Sequence, residues 1–256
     1  MKTVTSADGT TIAYEQSGNG PAAILVGGAM NDRHSAAELA DMLASTMTAV
    51  TYDRRGRGDS GDTKPYAVKR EVEDLGALIN EFGDASVYGV SSGANLAFEA
   101  AAAGYPVRKL AMVEPMYRLS DAPPLAPDYQ EHIIELTDAG DMDEVVKYFM
   151  TEGMKLPPQA FQGLQHSPMW PGIKAIAHTI MYDVIIMGDG ALPADRMAKV
   201  TVPALVVNSK ASSPWMHHTV EEAAKALSHG EHRVLDGDFH HVPPPVLGPV
   251  LAEFFA

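Results

Sequence analysis

Two serines stand side by side in the pentapeptide Gly89-Val90-Ser91-Ser92-Gly93. A serine hydroxyl is a weak nucleophile at neutral pH and needs a base beside it and a group that orients that base. Spacing selects between the two serines. A sharp strand-to-helix turn that exposes a serine brings the residues two before and two after it together, so both must be very small. Ser91 has glycine at both positions, whereas Ser92 has Val90 and Ala94. The same turn sets the Ser92 N–H at a helix start, where unpaired amides and the helix dipole favour negative charge. Ser91 is the candidate nucleophile and Ser92 a candidate backbone donor to an oxyanion. A base and a carboxylate must come from elsewhere. The chain has ten histidines and 33 acidic residues, among them His240 and His241 in "LDGDFHHV" and Glu114 in "MVEP", and the serine motif does not choose between them. Asp236 and Asp238 are weaker rivals, too close in sequence to His240 to reach its far nitrogen easily.

The elements that would carry these residues follow from the hydrophobic pattern. Residues 3–5 and 11–17 read as a hairpin with Asp8-Gly9 at the turn. "AAILV" (22–26), "TAVTYD" (48–53), "ASVYGV" (85–90) and "KLAMVE" (109–114) are short continuous apolar runs, the mark of strands buried on both faces. Helical patterns separate them at 35–44, at 68–82 (Val72, Leu75, Ile79 and Phe82 on one side) and after Ser91. This alternation predicts βαβ units and a doubly wound, mostly parallel α/β sheet. From 117 to 199 the strand rhythm stops and helical pieces with prolines take over. It resumes with "VPALVVN" (202–208), a helix near 215–228, "HRVLD" (232–236) and a last helix at 245–255 with Leu247, Val250, Leu251 and Phe254 on one face. The expected organisation is a core of residues 1–116 and 200–256 with a helical cap at 117–199.

Composition excludes several classes. The 33 acidic against 19 basic residues give a net charge of −14, the wrong sign for a nucleic-acid surface. With no cysteine there are no disulfides, thiolate metal sites or cysteine nucleophiles, which fits a reducing compartment. The N-terminus lacks an apolar leader, and no run of about 18 apolar residues occurs, so a cytoplasmic protein without a membrane span is expected. The Arg54, Arg55 and Arg57 cluster between Asp53 and Asp59 has the look of a phosphate site, but reads better as structural bracing near the site's mouth.

"LVGGAM" (25–30), "YDRRGRGDSGD" (52–62), "YGVSSGA" (88–94), "VEP" (113–115) and "LDGDFHHV" (235–242) together resemble the α/β-hydrolase superfamily over essentially the whole chain. The resemblance implies an insertion after the sixth strand acting as a lid. By position it assigns Ala29 as the second oxyanion donor, in a loop whose usual His-Gly is here Gly27-Gly28. A Gly-x-x-His pattern in "GDFHHV" selects His240 as general base. Most relatives place an aspartate after the seventh strand. Here that loop, "NSKASSPWMHHTV" (208–220), has no acid, and Asn208 is neutral. Zearalenone-type lactonases and some haloalkane dehalogenases carry the acid after the sixth strand instead, which corresponds to Glu114.

The expected activity is cleavage of an apolar or aromatic ester or lactone by Ser91, with no cofactor and no metal. Gly28, Met30, Trp170 and Trp215 are the expected substrate contacts, with Trp170, flanked by prolines in "SPMWPG", facing substrate from the lid. C–C bond hydrolysis and perhydrolysis reuse the same residues. A small-molecule receptor on the same scaffold is the alternative from a different class. Dehalogenase and epoxide-hydrolase chemistry is disfavoured, because both use an aspartate nucleophile.

Overall fold

A computed structural model describes all 256 residues. The elements in chain order are β1 (Lys2–Thr5), β2 (Thr11–Ser17), β3 (Ala22–Val26), α1 (Ala37–Leu43), β4 (Thr48–Tyr52), α2 (Val68–Glu81), β5 (Ala85–Val90), α3 (Ser92–Ala102) and β6 (Val107–Val113). After β6 come only helices: α4 (Tyr129–Asp138), α5 (Met142–Tyr148), α6 (Pro158–Gln165), α7 (Trp170–Ile176), α8 (Ile180–Met187) and α9 (Ala194–Met197). The chain then closes with β7 (Ala204–Ser209), α10 (Pro214–Ala226), β8 (Gly230–Leu235) and α11 (Pro244–Phe255).

The eight strands form one sheet in the order β1-β2-β4-β3-β5-β6-β7-β8, antiparallel at the β1-β2-β4 edge and parallel from β4 to β8. Successive side chains of a strand point to opposite faces, so each central strand feeds two cores. In β3, Ile24 and Val26 join one core with α2, α3 and α10, while Ala23 and Leu25 join the other with α1 and α11. This double coverage is why the strands read as unbroken apolar runs. A third, separate core unites α4 to α8 around Ile133, Val145, Val146 and Ile180. No helix is long and apolar enough to cross a membrane.

The C-terminal helix departs from its expected face. Leu247, Leu251 and Phe255 are buried, whereas Phe254 is only partly covered and lies under the Lys109 ammonium. The spacing of four between these buried residues carries the seam to Phe255. Truncating Phe255 to alanine is expected to cost about 3–5 kcal/mol in urea unfolding, and Phe254→Ala about 1 kcal/mol or less.

Candidate active site

Backbone strain gathers in one place. Five non-glycine residues have positive φ: Met30 (58°), Ser91 (56°), Glu114 (47°), Lys155 (56°) and His240 (54°). All five line a single cavity of ≈ 670 Å³, more than half of whose lining residues are hydrophobic. That volume suits a small organic molecule. Left-handed backbone costs a non-glycine residue of order 1–3 kcal/mol and persists only where the surroundings enforce it. The cavity opens where β3, β5, β6 and β8 end, the usual ligand position in an open α/β sheet.

Ser91 sits between β5 and α3 with φ 56° and ψ −130°. Its N–H donates to the Val113 carbonyl at 2.9 Å, tying the turn to the neighbouring strand. Both flanking glycines are sterically required. A Cβ on Gly89 would strike the Gly93 carbonyl oxygen, and one on Gly93 would come within 2.5 Å of the Val26 carbonyl oxygen. The Ser91 hydroxyl makes no side-chain cap to the helix that follows, and it faces the cavity.

Glu114 follows β6, the strand beside β5, and is 1% exposed. Its Oε2 lies 2.6 Å from His240 Nδ1. Its Oε1 accepts from the Ser209 N–H at 2.8 Å and the Ser212 hydroxyl at 2.5 Å. Burial alone raises a carboxyl, but the His240 imidazole, the Ser212 hydroxyl and the Ser209 N–H outweigh it and hold Glu114 below the usual carboxylate range. An ionised carboxylate only accepts, so the His240 proton sits on Nδ1 and the Nε2 lone pair is left for other work. The Ser212 hydroxyl also accepts from the His240 N–H at 3.3 Å. The end of β7 and the acid-free loop after it thus supply two of the groups that fix an acid borrowed from the adjacent strand.

The rival acids are placed elsewhere. Asp236 is exposed and bonds Lys210 Nζ at 3.3 Å. Asp238 closes a tight turn, its N–H donating to the His241 carbonyl. His241 is exposed. Asn208 is buried, accepting from His232 Nε2 at 2.7 Å while its amide lies 2.8 Å from His217 Nδ1.

The loop after β3 brings Gly28, Ala29 and Met30 to the cavity opposite the elbow, and a Cβ on Gly28 would approach the Ser91 Cβ at 3.1 Å. The Ala29 N–H has no protein acceptor, and Ser92 occupies the first turn of α3, where helix geometry leaves the N–H unpaired. Behind them runs a buried ion network. Asp183 on α8, fully buried, accepts from Arg54 Nη1 (2.6 Å), Arg57 Nη2 (2.8 Å) and the Ser92 hydroxyl (2.7 Å). Arg54 reaches Glu71 at 2.6 Å, and Arg57 Nη1 donates to the Gly28 and Asn31 carbonyls at 2.5 and 3.0 Å. Arg55 forks onto Asp74 at 2.6 and 2.7 Å. These arginines therefore brace the core, and none is free to bind phosphate. One carboxylate of the helical segment, Asp183, fastens both loops that frame Ser91. Reading the chain as sequence missed it, although Asp183 is the only charge in the apolar helix "IMYDVIIM".

Of the expected substrate contacts, Gly28, Met30 and Trp215 line the cavity. Trp170 does not. It opens α7 rather than an irregular segment, because Pro171 is well placed in a helix's first turn. Its ring packs edge-on against Phe161, 5.7 Å between centroids, within the helical segment's own core.

The model of the alpha/beta hydrolase family matches residues 23–246. The chain belongs to that family. It is 48% identical to an alpha/beta hydrolase from Sphaerobacter thermophilus, whose crystal structure superposes over 100% of both chains with a TM-score of 0.95. A thermophilic esterase from Thermogutta terrifontis shares 18% identity over 99% of this chain and 95% of its own, with a TM-score of 0.74, a likeness of fold. The uncharacterized hydrolase YraK of Bacillus subtilis is 36% identical over 91 residues, so this chain spans about a third of that relative's length (34%).

Burial alone raises the Asp183 carboxyl, yet Arg57 and Arg54 together hold it below its usual range. The stability this contributes is present above the unfolded value, about pH 4, and is lost as pH falls through the lower folded value. Asp183→Asn, which leaves two buried guanidiniums short of charge, is expected to cost about 3–5 kcal/mol at pH 7. In urea titrations its deficit should narrow below about pH 4.

Proposed function

We propose that this protein is a serine hydrolase that cleaves a carboxylic ester or lactone with a largely apolar body through an acyl-enzyme. The observation that carries this reading is the 2.6 Å contact between buried Glu114 and His240 Nδ1 in the cavity that also holds the strained Ser91. Ser91 Oγ attacks the substrate carbonyl while His240 Nε2 takes its proton. The imidazolium that forms is stabilised by Glu114, already charged and held by two donors besides the imidazole's own contact. Negative charge on the carbonyl oxygen falls to the Ala29 and Ser92 N–H groups, whose loops Arg57 and Asp183 hold fixed. Proton return from His240 expels the alkoxide, and water repeats the sequence on the acyl-enzyme. The helical segment 117–199 acts as a cap, its inner side completing the apolar wall of the cavity.

The polarisation of the Gly28–Ala29 peptide supports the same reading. Arg57 donates to the Gly28 carbonyl, which strengthens the adjoining N–H as a donor.

A fluorophosphonate is expected to add once, at Ser91, as seen by intact mass, and Ser91→Ala should remain unlabelled. Glu114→Gln should lower kcat on aryl esters by about 10³–10⁴ with KM little changed. Folded protein that resists labelling at neutral pH would favour the receptor alternative, and full activity of Glu114→Gln would remove Glu114 from the mechanism.

A further inference from the structure

The cavity contains polar groups that the proposed chemistry leaves unused. Arg118 Nη2, Tyr129 Oη and Ser213 Oγ are buried and have no hydrogen-bond partner, and all three residues line the cavity. A buried donor without a partner loses its water and gains nothing in return, at a cost that calls for an explanation.

Arg118 lies four residues beyond Glu114, on the segment leading from β6 into the helices. Two contacts fix its position. The backbone N–H donates to the Gly190 carbonyl at 2.7 Å, and the aliphatic stem packs against Gly190, where even a Cβ would meet it at 3.0 Å. The guanidinium lies over the Trp215 ring, 5.6 Å from its centroid. Although the chain has 33 acidic residues, none forms a salt bridge with Arg118. The other charged side chains lining the cavity are already engaged or exposed. Glu114 serves His240, Lys155 pairs with Glu152 at 3.4 Å, and the exposed Asp189 accepts from the Ala191 N–H. Burial keeps the Tyr129 phenol protonated, a donor, and a side chain on cavity-lining Gly153 would strike its oxygen.

An unpaired guanidinium, a phenol and a hydroxyl in a cavity more than half of whose lining residues are hydrophobic form a donor set for a planar anion. Resting on the hydrolase reading above, we propose that the substrate carries a free carboxylate bound by Arg118 and assisted by Tyr129, so that the cleaved ester or lactone is that of an acid-bearing molecule. Arg118 is then the specificity-determining residue. The fork presents two parallel N–H groups to the carboxylate, the apolar walls take the chain or ring, and the carbonyl rests at Ser91.

The test uses matched esters: 4-nitrophenyl hydrogen adipate and suberate against the hexanoate and octanoate, and 4-butanoyloxybenzoate against its methyl ester. The parent should favour the acid-bearing member of at least one pair by about tenfold or more in kcat/KM. That ratio should fall toward one in Arg118→Met and be partly kept in Arg118→Lys. Equal or better turnover of the neutral member in every pair, or a ratio unchanged in Arg118→Met, would overturn the proposal.

Because the ester assay also depends on the hydrolase reading, a second measurement stands apart from it. Tryptophan fluorescence of Ser91→Ala is titrated with 4-phenylbutyrate and with 4-phenylbutanol. The carboxylate should bind about tenfold more tightly or better, and the advantage should disappear when Arg118→Met is added. Alcohol binding as tight as acid binding would overturn the carboxylate site. If no ester is cleaved while this preference holds, the hydrolase reading fails and the carboxylate site stands.

Discussion

The arrangement of the site depends on keeping one carboxylate charged inside the protein. Glu114 is 1% exposed, and a buried carboxylate without compensation takes up a proton instead of remaining an anion. Three contacts prevent this, from the Ser209 N–H, the Ser212 hydroxyl and the His240 ring, and the His240 N–H in turn holds Ser212 Oγ. They come from the end of β7, the loop after it and the turn after β8. The order of neighbours β6-β7-β8 is what makes them converge. An acid on β6 thereby reaches a histidine beyond β8, two strands away.

That charge is held in a strained frame. Ser91 and Glu114 take positive φ directly after a parallel strand, each still donating its N–H to the neighbouring strand, and His240 does so in the turn after β8. Glycine is needed where the crowding is worst, at Gly89 and Gly93, and Ser91 sits between them. Arg54, Arg57 and Asp183 add a second, buried electrostatic layer. It joins the helical segment to the loops on either side of Ser91 without exposing any of its charges to the cavity's contents. The position of α8 and the orientation of Ser92 are therefore one structural variable.

Much of this was legible in the sequence. Strands buried on both faces announce themselves as apolar runs, and the elbow announces itself through two glycines around Ser91. Glu114 came from the family resemblance, which allows an acid after the sixth strand when the loop after the seventh has none. What stayed hidden depends on three-dimensional closure. The Ser212 hydroxyl is indistinguishable from its neighbours in "SKASSP" until the loop folds against β6. Arg54 and Arg57 show charge but not their partner, since Asp183 lies more than 120 residues away. Trp170 was misread because prolines on both sides suggest a loop, whereas a proline after the first helical residue starts a helix. The face of α11 slipped from Phe254 to Phe255 because two adjacent phenylalanines leave the end of an apolar stripe ambiguous.

The central claim is that Glu114 is ionised and accepts the His240 Nδ1 proton. Proton NMR of the resting protein tests it most directly. An imidazole N–H resonance is expected far downfield of the amide region, retained in Ser91→Ala and abolished in both Glu114→Gln and His240→Gln. A spectrum without that resonance, or one in which Glu114→Gln leaves it unmoved, would contradict it.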